Sequence, residues 1–113
     1  MPILVESQDN GAKFLLWLTV AVAAPIAEEL LFRGFWLRSL LGVLPTWGAI
    51  ALSAVGFAVV HLNVADLIPL TVLGAVLGFV MVRSRRLPAV MLLHALWNTG
   101  SFVALLALGR VDG

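Results

Sequence analysis

Four stretches of this chain, residues 14–40, 45–62, 67–82 and 87–108, are apolar over most of the length a helix needs to cross a bilayer. A hydrocarbon core of about 30 Å takes about 20 helical residues at about 1.5 Å each. Backbone groups find no water there, so a span is either a helix or a strand of a closed barrel. The sequence has none of the period-two alternation that barrel strands carry. Composition agrees: 62% of residues are hydrophobic and 12% charged, where a soluble domain has about 25% charged. The expected fold is all-α, a polytopic transmembrane helical bundle whose four spans form a single membrane-embedded core within residues 1–113.

The chain has no cysteine, which excludes a disulfide framework, a thiolate metal site and a cysteine nucleophile. A formal net charge of +1 and the lack of a basic stripe with interleaved aromatics argue against nucleic acid as a partner. Residues 1–10 are polar and acidic, with no basic region ahead of an apolar core, and do not read as a cleavable signal peptide. Arg83, Arg85 and Arg86 mark the third connection as cytoplasmic, and Arg38 marks the first. Both termini then face outward. Trp36 and Trp47 fit a cytoplasmic interfacial belt and Trp17 an outer one. Pro45 suits the first turn of the second helix, Asp66 is the expected N-cap of the third, and Pro88 opens the fourth. Gly74 and Gly78 form a small-xxx-small pattern that lets helices approach closely.

Against this apolar background, Glu28, Glu29 and Arg33 in the first span stand out, because a charge in lipid costs about 2.5–3.5 kcal/mol on insertion scales. Glu29 and Arg33 are four residues apart with the acid first, the better orientation for a helical pair. Glu28 lies about 100° around the helix from Glu29, so the two carboxylates meet different surroundings. Pro25, three residues earlier, should kink this helix or free a carbonyl near the acidic pair. His94 and Asn98 project together from the fourth span, and His61 closes the second. Counting about 1.5 Å per residue from the cytoplasmic ends puts Glu28 about 18 Å deep, His61 about 24 Å, His94 about 10 Å and Asn98 about 16 Å. Helix tilt has to close that spread if the groups share a site.

These residue types suit peptide hydrolysis. A carboxylate held out of water can serve as a general base near neutral pH, and a neighbouring imidazole can hold the same water or shuttle its proton. Glu28 and His61 can fill those roles. His94 and Asn98 can donate to the oxygen that becomes negative in the tetrahedral intermediate. Glu29 and Arg33 read as a buried structural ion pair.

Three ordered motifs then carry a resemblance: EExxxR at Glu28-Glu29-Leu30-Leu31-Phe32-Arg33, FxxxH at Phe57-Ala58-Val59-Val60-His61 and HxxxN at His94-Ala95-Leu96-Trp97-Asn98. Together they resemble the CPBP intramembrane protease family, also called the Abi or CAAX protease and bacteriocin-processing family, with its Rce1-type prenyl-protein endopeptidases. The resemblance implies a glutamate-dependent intramembrane endopeptidase in which Glu28 and His61 activate water and His94 and Asn98 receive the oxyanion. It further implies Glu29 and Arg33 in support, a membrane-anchored peptide or protein substrate of CAAX type, and the cell membrane of a prokaryote as location. Larger members carry further helices outside this core. The family's historical metal assignment leaves zinc, held by Glu28, His61 and His94, as the alternative to a metal-free site; the chain lacks HExxH and cysteine.

Other readings compete. Taken singly, an intramembrane His or Asn is more often a packing or interhelical hydrogen-bonding group than a catalyst. Phe57, one turn before His61, reads as a packing residue that shapes the pocket. None of Ser39, Ser53, Ser84 or Ser101 sits in the Gly-flanked loop a rhomboid-type nucleophile needs, and no membrane-embedded Asp pair is present. The same fold could instead serve as a non-enzymatic membrane scaffold or bacteriocin-immunity factor, or form a proton or metal pathway.

Overall fold

Helices account for nearly every residue that the computed structural model describes, namely residues 9–112, with side chains through residue 109. The segment of residues 1–8, expected to be polar and not a signal peptide, lies outside the described residues. Helix α1 runs Asn10–Leu41. It begins where the Asp9 carboxylate accepts the N–H groups of Gly11 and Ala12, at 2.9 and 3.2 Å, satisfying donors that a helix start leaves open. Then come α2 at Thr46–Val59, a 3-10 turn at Val64–Asp66, α3 at Leu67–Ser84 and α4 at Leu87–Asp112.

Two π-helical turns, Thr19–Ala23 and Phe32–Trp36, interrupt α1. Each adds a residue to a turn and so rotates the inward face back into line. Leu16, Ala21, Pro25, Glu29, Arg33 and Leu37 can therefore all be buried along one long helix. The core joins Phe32 and Leu37 of α1 to Ile50 and Phe57 of α2, Leu73, Leu77 and Met81 of α3, and Val90 of α4. Gly74 and Gly78 face α2 as the small-residue pattern predicts; a Cβ on Gly74 would stand 3.0 Å from the Ala54 Cα.

The outer surface is apolar as well. Phe14, Leu31, Phe35, Val72, Leu92, Leu96 and Val103 are each more than half exposed. Such a continuous apolar exterior is stable only against lipid. Helices α1, α3 and α4 are long and apolar enough to cross a membrane. The chain is thus an all-α integral membrane protein, which implies a lipid bilayer as its partner.

The second span departs from expectation. Helix α2 has 14 residues, about 21 Å at 1.5 Å per residue and so short of a bilayer core of about 30 Å. It ends at Val59 because His61 turns back on it. The His61 backbone N–H bonds Ala58 O at 3.2 Å, and its ring Nδ1 takes the Phe57 carbonyl at 2.7 Å, a group that would otherwise accept the next helical N–H. Leu62, at φ 55°, then reverses the chain in the left-handed region. Asp66 holds the expected N-cap position of α3 without a side-chain cap bond, and the side-chain cap is that of Asn63 at the start of the 3-10 turn. Its Oδ1 accepts from the Ala65 N–H at 3.1 Å while its Nδ2 donates to Asp66 Oδ2 at 2.9 Å. Trp36 also departs from expectation: its ring packs inward on Gly56 and edge-on to Phe32 instead of joining an interfacial belt. Trp47 remains 68% exposed, stacked on Phe79.

Candidate active site

Helix α1 carries three of the site's charged groups because their spacing splits them between two faces. Glu29 and Arg33, one turn apart, point inward and are fully buried. Arg33 Nη1 donates to Glu29 Oε2 at 2.9 Å and Nη2 to the Gly74 carbonyl of α3 at 2.9 Å. The guanidinium also lies 4.5 Å above the centre of the Phe57 ring. One arginine thereby ties α1 to both α2 and α3. Glu28, rotated away, has a side chain 30% exposed toward a cavity.

The expected ion pair is present, but Glu29 does more than balance Arg33. Its Oε2 also accepts from His94 Nδ1 on α4 at 2.7 Å, a contact that joins residues 65 apart. That bond turns the other ring nitrogen, Nε2, to within 3.5 Å of Glu28 Oε1. His61 is oriented in the same manner. A carbonyl can only accept, so Nδ1 carries the proton given to Phe57 O, and Nε2 faces Glu28 Oε2 at 3.9 Å. The two carboxylate oxygens of Glu28 are therefore bracketed by two imidazole Nε2 atoms from different segments. The depth spread has closed: α1, 32 residues long, must tilt to fit a bilayer, and His61 sits beyond the end of a shortened α2.

Phe57, expected as a packing residue beside His61, packs against the site's imidazoles. Fully buried, it stands behind the two imidazoles, its ring centroid 4.9 Å from that of His61 and 5.7 Å from that of His94, and is not on the cavity wall. Asn98 does line the cavity, yet its Nδ2 donates to the Val20 carbonyl at 2.8 Å, so one of its two amide hydrogens is committed to α1. The cavity, about 610 Å³, takes in Glu28, His61, His94 and Asn98 and continues between α1 and α4 past Leu16, Val20, Phe102 and Leu105. Asp66 and Ser101 also line it, and motif spacing points to neither. Three backbone carbonyls, those of Val20, Phe57 and Gly74, are structural members of the site. Only the first of these had a signal in the sequence, through the N–H that Pro25 lacks; nothing in the residue types marks the carbonyls of Phe57 and Gly74.

Among the described residues, no group of three His, Cys, Asp or Glu side chains is disposed to hold a metal ion.

Fold and cluster together define a class: a polytopic helical membrane protein with carboxylates and imidazoles gathered at a cavity within the bundle. The sequence model of the type II CAAX prenyl endopeptidase Rce1-like family matches residues 10–100, and the chain belongs to that family. It is accordingly a member of a family of CAAX-type intramembrane endopeptidases. No curated protein and no solved structure matches it.

Proposed function

We propose that the chain hydrolyses a peptide bond in a membrane-associated, CAAX-type substrate by water activation at Glu28. The supporting observation is the bracketing of Glu28 by His94 Nε2 at 3.5 Å and His61 Nε2 at 3.9 Å. The His61 distance is too long for a direct hydrogen bond, and both groups face a point on the cavity side where one water can bond to each. Glu28 takes a proton from that water while the His61 lone pair holds its other hydrogen. The oxygen attacks the scissile carbonyl carbon. The carbonyl oxygen, now negative, is received by the Asn98 Nδ2–H and by His94 Nε2–H. With Nδ1–H already engaged by Glu29, His94 Nε2 donates only when the ring carries both protons. The proton held by Glu28 passes to the departing amine, and the C–N bond breaks. Glu29 orients His94, and Arg33 anchors α1.

The apolar walls of the cavity, Leu16, Val20, Phe102 and Leu105, suit a substrate with a hydrophobic portion. No step is routed through a metal in this reading. The test is cleavage of a prenylated CAAX-type peptide, presented in vesicles, by the purified protein. Glu28→Gln should abolish turnover while leaving the folded protein intact, and a chelator should have little effect. Full activity in Glu28→Gln would rule out the mechanism, whereas chelator-sensitive activity restored by zinc would make Glu28, His61 and His94 metal ligands instead.

A further inference from the structure

Pro25 is buried beside the first π turn of α1, and its backbone chemistry bears on a residue of another helix. The Ala24 N–H bonds the Thr19 carbonyl, five residues back. In that wide register the next N–H would reach Val20, but the next residue is Pro25, which has none. The Val20 carbonyl is taken by Asn98 Nδ2 from α4, at 2.8 Å and 78 residues away in sequence. Since a carbonyl can only accept, this contact settles which end of the Asn98 amide is nitrogen and holds the amide plane. The second N–H of Asn98 has no partner among the described residues, and the side chain borders the same cavity as Glu28, His61 and His94.

We propose that Pro25 is a positioning residue. By withholding an N–H at the end of the Thr19–Ala23 π turn it reserves the Val20 carbonyl for Asn98, and the bond formed there aims the remaining Asn98 N–H into the cavity as an oxyanion donor. The inference rests on the reading of Asn98 given under the proposed function. A proline needed only to bend α1 would not require this partner, and the two roles predict different behaviour.

The experiment replaces Pro25 by Ala in the full chain, which returns an N–H able to compete for the Val20 carbonyl. The chain has three asparagines, Asn10, Asn63 and Asn98, so selective 15N-asparagine labelling in detergent yields three side-chain amide pairs, with that of Asn98 identified by its loss in Asn98→Ala. Pro25→Ala should narrow the separation between the two Asn98 amide protons and leave the Asn10 and Asn63 pairs in place. Turnover on the prenylated peptide should fall at least about tenfold, up to the 10²–10³-fold loss expected for Asn98→Ala itself, with KM little changed. Pro25→Ala/Asn98→Ala should be no slower than Asn98→Ala within about threefold, because both changes remove one function. Thermal unfolding of Pro25→Ala should be no earlier than that of the parent, since Ala favours the helix. Unmoved Asn98 signals, or full kcat in Pro25→Ala while Asn98→Ala is impaired, would overturn the positioning role alone. Full kcat in Asn98→Ala would overturn the oxyanion reading and the proposal with it.

Discussion

Breaking the Glu29–Arg33 pair from one side should be among the most destabilising single changes open to this chain. In Arg33→Met the lost groups are two charge-assisted hydrogen bonds, to Glu29 Oε2 and the Gly74 carbonyl, and a cation–π contact with Phe57. Such bonds contribute about 1.5–3 kcal/mol each, and a desolvated cation–π contact up to about 2. These figures bracket the loss of about 3–5 kcal/mol seen when a buried pair loses one partner. Glu29→Leu should cost a similar amount, because Arg33 would keep only a carbonyl and a ring face. The double exchange to Met and Leu removes both charges and should recover most of the deficit relative to the sum of the singles. Activity separates the two variants. Glu29→Leu frees His94 Nδ1 from the acceptor that orients it, so residual folded protein should turn over much more slowly, whereas Arg33→Met leaves the 2.7 Å His94 contact in place. Thermal unfolding in detergent across parent, singles and double, with turnover measured per folded molecule, checks both parts. Additive losses would show that the charges are not coupled, and equal turnover in the two singles would show that Glu29 does not hold His94.

Gly56→Ala drives a Cβ into the Trp36 ring, on the α1–α2 contact. It should lower stability by about 1–3 kcal/mol through overpacking, with Trp36→Leu restoring part of the loss in the double variant; an unchanged unfolding temperature for Gly56→Ala would contradict the packing. For topology, single cysteines at Ser84 and Asn63 should be labelled by an impermeant reagent from opposite sides of the membrane, since the arginine-rich connection is expected in the cytoplasm. Labelling of both from one side would refute the orientation.

Hydropathy alone determined that this chain folds as membrane helices, because satisfying backbone groups in hydrocarbon leaves few alternatives. Composition also made Glu28, Glu29, Arg33, His61, His94 and Asn98 conspicuous, and helical spacing correctly paired Glu29 with Arg33, since a contact between neighbouring turns depends only on local geometry. Contacts between helices were not legible in that way. That Glu29 also holds His94, that Arg33 reaches the Gly74 carbonyl, and that Asn98 bonds the Val20 carbonyl depend on the tilt and rotation of one helix against another. Those are set by the summed packing of many side chains, including two π turns that no hydrophobic period announces. The early end of α2 was hidden for a related reason. The residues around His61 are apolar enough to continue a helix; the capture of the Phe57 carbonyl by the His61 ring and the left-handed turn at Leu62 end it, and the former also carries that ring to Glu28. The inward turn of Trp36 likewise followed from a partner, Gly56, supplied by another helix. The periodicity of a sequence specifies which way a side chain leaves its own helix axis, and tertiary packing decides what it meets there.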